Sequence, residues 1–162
     1  MTSARFRDDH RRDFEFHGRM LLLCPRCRAC AVPEPRATST KQRAMNWSGP
    51  RRLICSACGL TRHWHPDRAI PRRRAVGFDP YFHLPYWLAA RCRHGAVYAM
   101  NEEQLAHLES FIAASLRERS RGMHGWVNNS YISRLPSWMK AASNRADLLR
   151  CIDQLKAKLA ER

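Results

Sequence analysis

Four of the seven cysteines fall in two Cys-x-x-Cys pairs, Cys24-Pro25-Arg26-Cys27 and Cys55-Ser56-Ala57-Cys58. A pair at this spacing can turn both sulfurs toward one ion. Two such pairs complete a tetrahedral shell of four thiolates with no position open to water or substrate. The pattern points to a single structural zinc ion held by Cys24, Cys27, Cys55 and Cys58. Gly59 follows the second pair, where a residue free to take positive φ lets the turn wrap its amides around the sulfurs; Arg28 holds the matching place after the first. The same four ligands serve an iron–sulfur cluster, which spacing alone does not separate from zinc. Two disulfides are the alternative without a metal. A chain whose N-terminal residues carry no apolar signal segment is expected in a reducing cytoplasm, which argues against them. A redox Cys-x-x-Cys would open a helix after a strand, and Pro25 to Ala31 does not look like that.

Three cysteines stand outside the two pairs. Cys151 lies in a helical run between Leu148 and Leu155 and reads as a small buried hydrophobe. Cys30 is the alternative to Cys27 as a ligand, although Cys-x-x-Cys is the better knuckle, and Cys92-Arg93-His94 has no second pair at ligand spacing, which argues against a metal site there. His63 and His65 alternate on an extended segment and share a face, where they serve as ligands, phosphate contacts or plain surface residues.

The elements that must position the sulfurs are short. Met20 to Leu23 and Arg52 to Ile54 are extended runs entering each knuckle, and Leu60 to Trp64 leaves the second with alternating character. Ala31 to Pro50 is expected as a distal loop or hairpin. Over residues 19–66 this arrangement resembles the zinc ribbon of transcription factor B and of many small bacterial proteins. The resemblance implies two knuckles pinching a small antiparallel sheet.

Charge is concentrated on the same segment. The chain carries 29 Lys and Arg against 14 acids, a formal net charge of +15, and 25 of the basic residues are arginines. Between Arg19 and Arg74 stand 13 Lys and Arg and two acids, Glu34 and Asp67, a local excess of +11. Four thiolates around a dication leave two negative charges, which Arg26 and Arg28 would partly offset. The remaining surplus implies a polyanionic partner. Arginine suits one, because its planar fork matches phosphate. The residues expected to track nucleic-acid phosphates are Arg36, Lys41, Arg43, Arg51, Arg52, Arg62, Arg72, Arg73 and Arg74, with Trp47 and Trp64 available for base stacking. No base-reading code is visible among them.

The rest of the chain reads as scaffold. Residues 1–18 mix Arg, Asp and His without apolar periodicity and are expected as a flexible tail, and 67–80 as a basic linker broken by prolines. From 81 onward come an aromatic-rich segment, either core or a stacking platform, and a C-terminal helical pair. Asn101 is the expected N-cap of the first helix and Gln104 its capping-box partner, with Leu105, Leu108, Phe111 and Ile112 on one apolar face and an end near Arg121-Gly122. Ser137 or Asn144 starts a last helical region running to about Ala160. The stretches FHLPYWLAARC, AVYAMNEEQLAHLESFIAASLRER and SRLPSWMKAASNR are similar to a family of uncharacterised bacterial zinc-ribbon proteins, which carries no activity with it.

The fold class expected is therefore α+β: a Cys₄ ribbon over 19–66, then the aromatic segment and helical domain over 81–162. The longest apolar run, Met20 to Cys24, is far below the roughly 18–20 residues of a membrane span, so no membrane partner is expected. The function expected is zinc-stabilised nucleic-acid binding, with a protein-docking adaptor of a transcription, replication or translation complex as the alternative. An enzyme is not expected: acids are scarce and no paired carboxylates stand at useful spacing.

Overall fold

The computed structural model describes residues 5–36, 49–67, 76–118 and 129–162. In chain order the elements are β1 (Arg5–Arg7), a 3-10 turn (Asp13–Phe16), β2 (Leu22–Leu23), β3 (Cys30–Pro35), β4 (Arg51–Ile54), β5 (Thr61–Trp64), β6 (Leu88–Cys92), β7 (Gly95–Ala99), α1 (Glu102–Ala113), β8 (Leu116–Glu118), α2 (Ser137–Lys140) and α3 (Arg145–Ala160). The fold is α+β. Among the described residues, no helix is long and apolar enough to cross a membrane.

The chain forms two compact units, and neither is continuous in sequence. One comprises Met1–Phe16, Ala90–Val97 and Glu102–Glu161; the other is built from His17–Ala89 and Tyr98–Asn101. The β6–β7 hairpin contributes to both, so the linear partition expected from composition is not the spatial one.

The second unit is organised by an antiparallel sheet in the order β2-β3-β4-β5. Strand β3 falls in the stretch expected as a distal loop or hairpin and pairs with β4 as one arm of a hairpin, although it carries two prolines. The register explains why they are tolerated. Strand β2 pairs only with Cys30 and Ala31, so beyond Ala31 that side of β3 is an open edge. Arg36 donates its N–H to Pro50, which continues the Val32–Ile54 and Glu34–Arg52 pairs. Even-numbered amides therefore face β4, and Pro33 and Pro35 turn their missing donors to the open edge.

The aromatic segment is core rather than platform. Tyr81, Tyr86 and Trp87 are buried, and Tyr86 stacks on Tyr98 at 5.7 Å between centroids. Tyr81 meets Trp64 edge-on at 5.0 Å and lies under the Arg51 guanidinium at 4.2 Å. The turn that carries Tyr81 is wound around Asp79. This carboxylate is 1% exposed and accepts hydrogen bonds from the amides of Tyr81, Phe82 and Leu84, each at 2.8 Å.

In the first unit, α1 and α3 pack through the faces the sequence marks: Leu105, Leu108, Phe111 and Ile112 against Leu148, Cys151, Ile152 and Leu155, all buried. Residues 5–16, read from composition as tail, are tied down by two of their three phenylalanines, Phe6 and Phe16. Phe6 sets its ring edge-on to Phe111 at 5.4 Å and to His107 at 5.5 Å, and the fully buried Phe16 meets Tyr131 at 5.6 Å. Strand β1 pairs in parallel with β8, Arg5 opposite Leu116 and Arg7 opposite Glu118.

Helix α1 stops at Ala113, short of the expected end near Arg121. The pairing with β1 draws 116–118 into extended backbone, and Arg117 folds back to the helix terminus. Its guanidinium donates to the carbonyls of Phe111 (3.1 Å), Ile112 (3.3 Å) and Lys140 (2.6 Å), while Arg145 donates to that of Ala114 at 3.0 Å. Two cations thus serve the carbonyls that a helix leaves without partners at its C-terminal end. Gln104, expected to close a capping box, is fully buried and donates its side-chain amide to Asp13 at 3.3 Å.

Candidate metal centre

Each knuckle is a tight turn placed by a strand. Cys24 follows β2 and Cys55 follows β4, and the two turns repeat the same hydrogen bonds. Arg28 donates its N–H to the carbonyl of Cys24 at 2.9 Å, and Gly59 donates its own to that of Cys55 at 2.9 Å. Cys24 in turn donates to Ala29 at 2.8 Å, and Cys55 to Leu60 at 2.9 Å. The backbone is left-handed at both matching places, φ +63° at Arg28 and +70° at Gly59. Arg28 therefore adopts the conformation that glycine supplies in the second knuckle.

The two turns bring four sulfurs together. Cys24 Sγ lies 3.7 Å from Cys58 Sγ and Cys27 Sγ lies 3.5 Å from Cys55 Sγ, and all four fall within 4.8 Å of one another. A tetrahedron with metal–sulfur bonds of about 2.3 Å has sulfur–sulfur edges of about 3.8 Å. The cluster thus has the dimensions of a four-thiolate shell around one ion, and its sulfurs are too far apart to be two disulfides. Among the described residues this is the one group able to hold a metal through three or more His, Cys, Asp or Glu side chains. Cys30, His63 and His65 lie outside it.

Packing four thiols together separates their proton affinities. Burial disfavours the Cys24 thiolate, but the amides of Cys27 and Arg26 and the thiols of Cys55 and Cys27 donate to it and bring its pKa down to about 6. At Cys27 the amide of Ala29 favours the thiolate; desolvation and the neighbouring sulfurs of Cys58, Cys55 and Cys24 outweigh it and hold the pKa at about 12. One proton leaves readily and another resists, so a cation at the centre is what allows all four to ionise together. Arg26 reaches across to the Cys58 carbonyl at 3.5 Å and brings positive charge to the rim.

Among the described residues, the arginines and the tryptophan assigned to nucleic acid do not form one surface. Arg51 and Trp64 are 4% and 5% exposed, held in the interior with Tyr81, and are corrected from contact residues to core. The pattern misled because Arg51 occupies an inward position of β4, where its charge is accommodated over an aromatic face. Arg52 is exposed, in register with His63 on β5 and with Glu34 on β3; Arg36, also exposed, lines a shallow depression with Glu34, Pro35 and Arg52. Arg62 is exposed but pairs with the inward-facing Leu53, so it leaves the sheet on the opposite side from Arg52. Glu34 stands 3.7 Å from Arg52 and partly neutralises it. Lys41, Arg43, Trp47, Arg72, Arg73 and Arg74 lie outside the described residues.

Cys92 and Cys151 are joined in a disulfide, with their Cα atoms 6.3 Å apart. Cys151 is buried, as its place in a helical run implies, but it is bonded to Cys92 rather than a free apolar side chain. Their separation of 59 residues carries no spacing signal, and only the packing of α3 against the hairpin brings them together.

No protein-family model, curated protein or solved structure matches this chain.

Proposed function

We propose that the chain is a zinc-stabilised, basic nucleic-acid-binding protein, a zinc ribbon in which the metal holds the sheet and the exposed sheet face meets phosphates. Zinc is the ion this donor set favours, since four thiolates in a closed tetrahedron form its usual structural site. No coordination position is left for catalysis, and we read the chain as a binding protein rather than an enzyme. The observation that carries the reading is the exposed side of the sheet on the most basic third of the chain, where Arg36 and Arg52 line one depression and His63 stands in register with Arg52. With Trp64 buried, the described part of the ribbon supports recognition of the backbone rather than stacking of bases. As part of the same reading we place the chain in the cytoplasm, where the four ribbon thiols stay reduced.

The test is binding of single-stranded and duplex DNA and RNA to the metal-loaded chain across a salt series. Each arginine–phosphate contact on duplex DNA adds about −0.9 to the slope of log K against log salt. Arg36→Ala and Arg52→Ala should each make that slope shallower by about this amount. Glu34→Gln frees Arg52 from its carboxylate and should strengthen binding by up to about fivefold, the upper range for an exposed ion pair. Failure to bind all four nucleic acids at low salt would eliminate the proposal and leave the protein-docking adaptor as the reading to pursue.

A further inference from the structure

We propose that Cys92 and Cys151 form a reversible thiol–disulfide modification site, oxidised by small-molecule disulfides, that clasps α3 to the β6–β7 hairpin while the four ribbon cysteines stay reduced. The two sulfurs differ in access. Cys92 is partly exposed at the end of β6, beside the hairpin turn, whereas Cys151 is buried on the inner face of α3 at 5% exposure. Arg91 and Arg93 flank Cys92, and their charge favours an anionic reagent such as oxidised glutathione.

Contacts besides the covalent bond also hold the hairpin in place. Asp147 stands one helical turn before Cys151 on the same face of α3 and accepts the amide hydrogen of Arg93 at 3.2 Å. At the hairpin, a Cβ built on Gly95 would come within 2.8 Å of the Trp138 ring, so the backbone sits directly against that side chain. The Asp147–Arg93 hydrogen bond ties α3 to the hairpin beside the two sulfurs, which keeps them neighbours when reduced, so that closure needs little rearrangement.

The reaction is thiol–disulfide exchange in two steps. The Cys92 thiolate attacks one sulfur of the small disulfide, breaks its S–S bond and releases one thiolate, leaving a mixed disulfide on Cys92. Cys151 gives its proton to solvent and attacks the Cys92 sulfur, forming the internal bond and releasing the second thiolate. Two protein thiols lose two electrons and one small disulfide is reduced to two thiols. Reduction runs the same path backward, with an external thiolate attacking the accessible Cys92 sulfur.

The ribbon is the internal contrast. Its sulfurs lie 3.5 and 3.7 Å apart in the closest pairs, unbonded and grouped for an ion, and thiolates held by a metal are withdrawn from exchange. The chain thus sorts its cysteines between two chemistries.

The metal-loaded full chain, equilibrated in graded mixtures of reduced and oxidised glutathione, would be quenched in acid, alkylated and mapped by mass spectrometry, with bound metal measured in parallel. A linked Cys92–Cys151 peptide that appears with rising oxidant, disappears on reduction and leaves the metal bound is the expected result. Absence of that peptide at every ratio, or its appearance only after metal release, would overturn the proposal. Cys151→Ala should trap a stable glutathione adduct on Cys92, and Cys92→Ala should leave Cys151 unmodified. An adduct on Cys151 in the second variant would overturn the assignment of Cys92 as the first sulfur attacked.

Discussion

Substituting Gly59 with alanine changes almost nothing except the conformational freedom of one residue in the second knuckle. A Cβ built there finds no atom within 4 Å, so no clash contributes. What remains is φ of +70°, which the hydrogen bond from Gly59 to the Cys55 carbonyl requires. A residue with a Cβ gives up about 1–2 kcal/mol in this region. Alanine recovers about 0.4–1 kcal/mol by restricting the unfolded chain. The net loss is about 1 kcal/mol, or roughly fivefold in metal affinity if the metal-bound knuckle is what suffers. Competition against a chromophoric chelator measures this directly. Gly59→Asn should lose less than Gly59→Ala, because asparagine tolerates the left-handed region better. The first knuckle supplies the converse. Arg28→Gly and Arg28→Ala both remove the cation, but only alanine keeps the strain at φ +63°, so the glycine variant should bind metal roughly fivefold more tightly than the alanine variant. If Gly59→Ala binds as tightly as the parent, or the two Arg28 variants bind equally, the paired-turn account is wrong.

Metal affinity should climb with pH between 6 and 8, because Cys27 keeps its proton to about 12 and must surrender it on binding; isothermal titration in buffers of different ionisation enthalpy would count the protons released, and zero would contradict the assignment. Cys55→Ser or Cys58→Ser should abolish stoichiometric metal binding and unfold the ribbon sheet while the α1–α3 pair keeps its helical circular dichroism; one tightly bound ion per chain in either variant would remove these ligands from the set. Burial lowers the His107 pKa, helped by Arg11 and opposed by Asp9, Asp8 and Glu103, so the native state binds fewer protons than the unfolded one just below the ordinary histidine value. Stability should therefore fall as pH drops through about 6.5, and denaturant titrations of His107→Gln should show a flatter pH profile. Arg117→Ala removes the donor to the Phe111, Ile112 and Lys140 carbonyls and should cost about 2 kcal/mol in the same titrations, a change below about 0.5 kcal/mol being incompatible with its role as a C-terminal cap.

The four-cysteine cluster is legible in the amino-acid sequence because local spacing nearly determines it: two residues between sulfurs make each knuckle, and the extended runs beside them supply the strands. The helical faces of α1 and α3 are legible for the same reason, since periodicity is a local property of the chain. Other features are hidden because they depend on partners distant in sequence. Phe6 and Phe16 look like stray aromatics in a polar tail until Phe111, His107 and Tyr131 receive them. Pro33 and Pro35 look like strand breakers until the short reach of β2 leaves their side of β3 open.

By itself the sequence determined a cluster of four cysteines able to hold one ion on the most basic segment of an α+β chain, because both cysteine spacing and charge density are written locally. Tertiary structure alone decided which arginines face solvent. It placed Arg51 and Trp64 in the interior with Tyr81, Arg36 and Arg52 on one side of the sheet and Arg62 on the other. It also decided that Cys92 and Cys151 meet across 59 residues. Side-chain facing follows strand register, and distant pairing follows packing, and neither is encoded in the neighbourhood of the residue concerned.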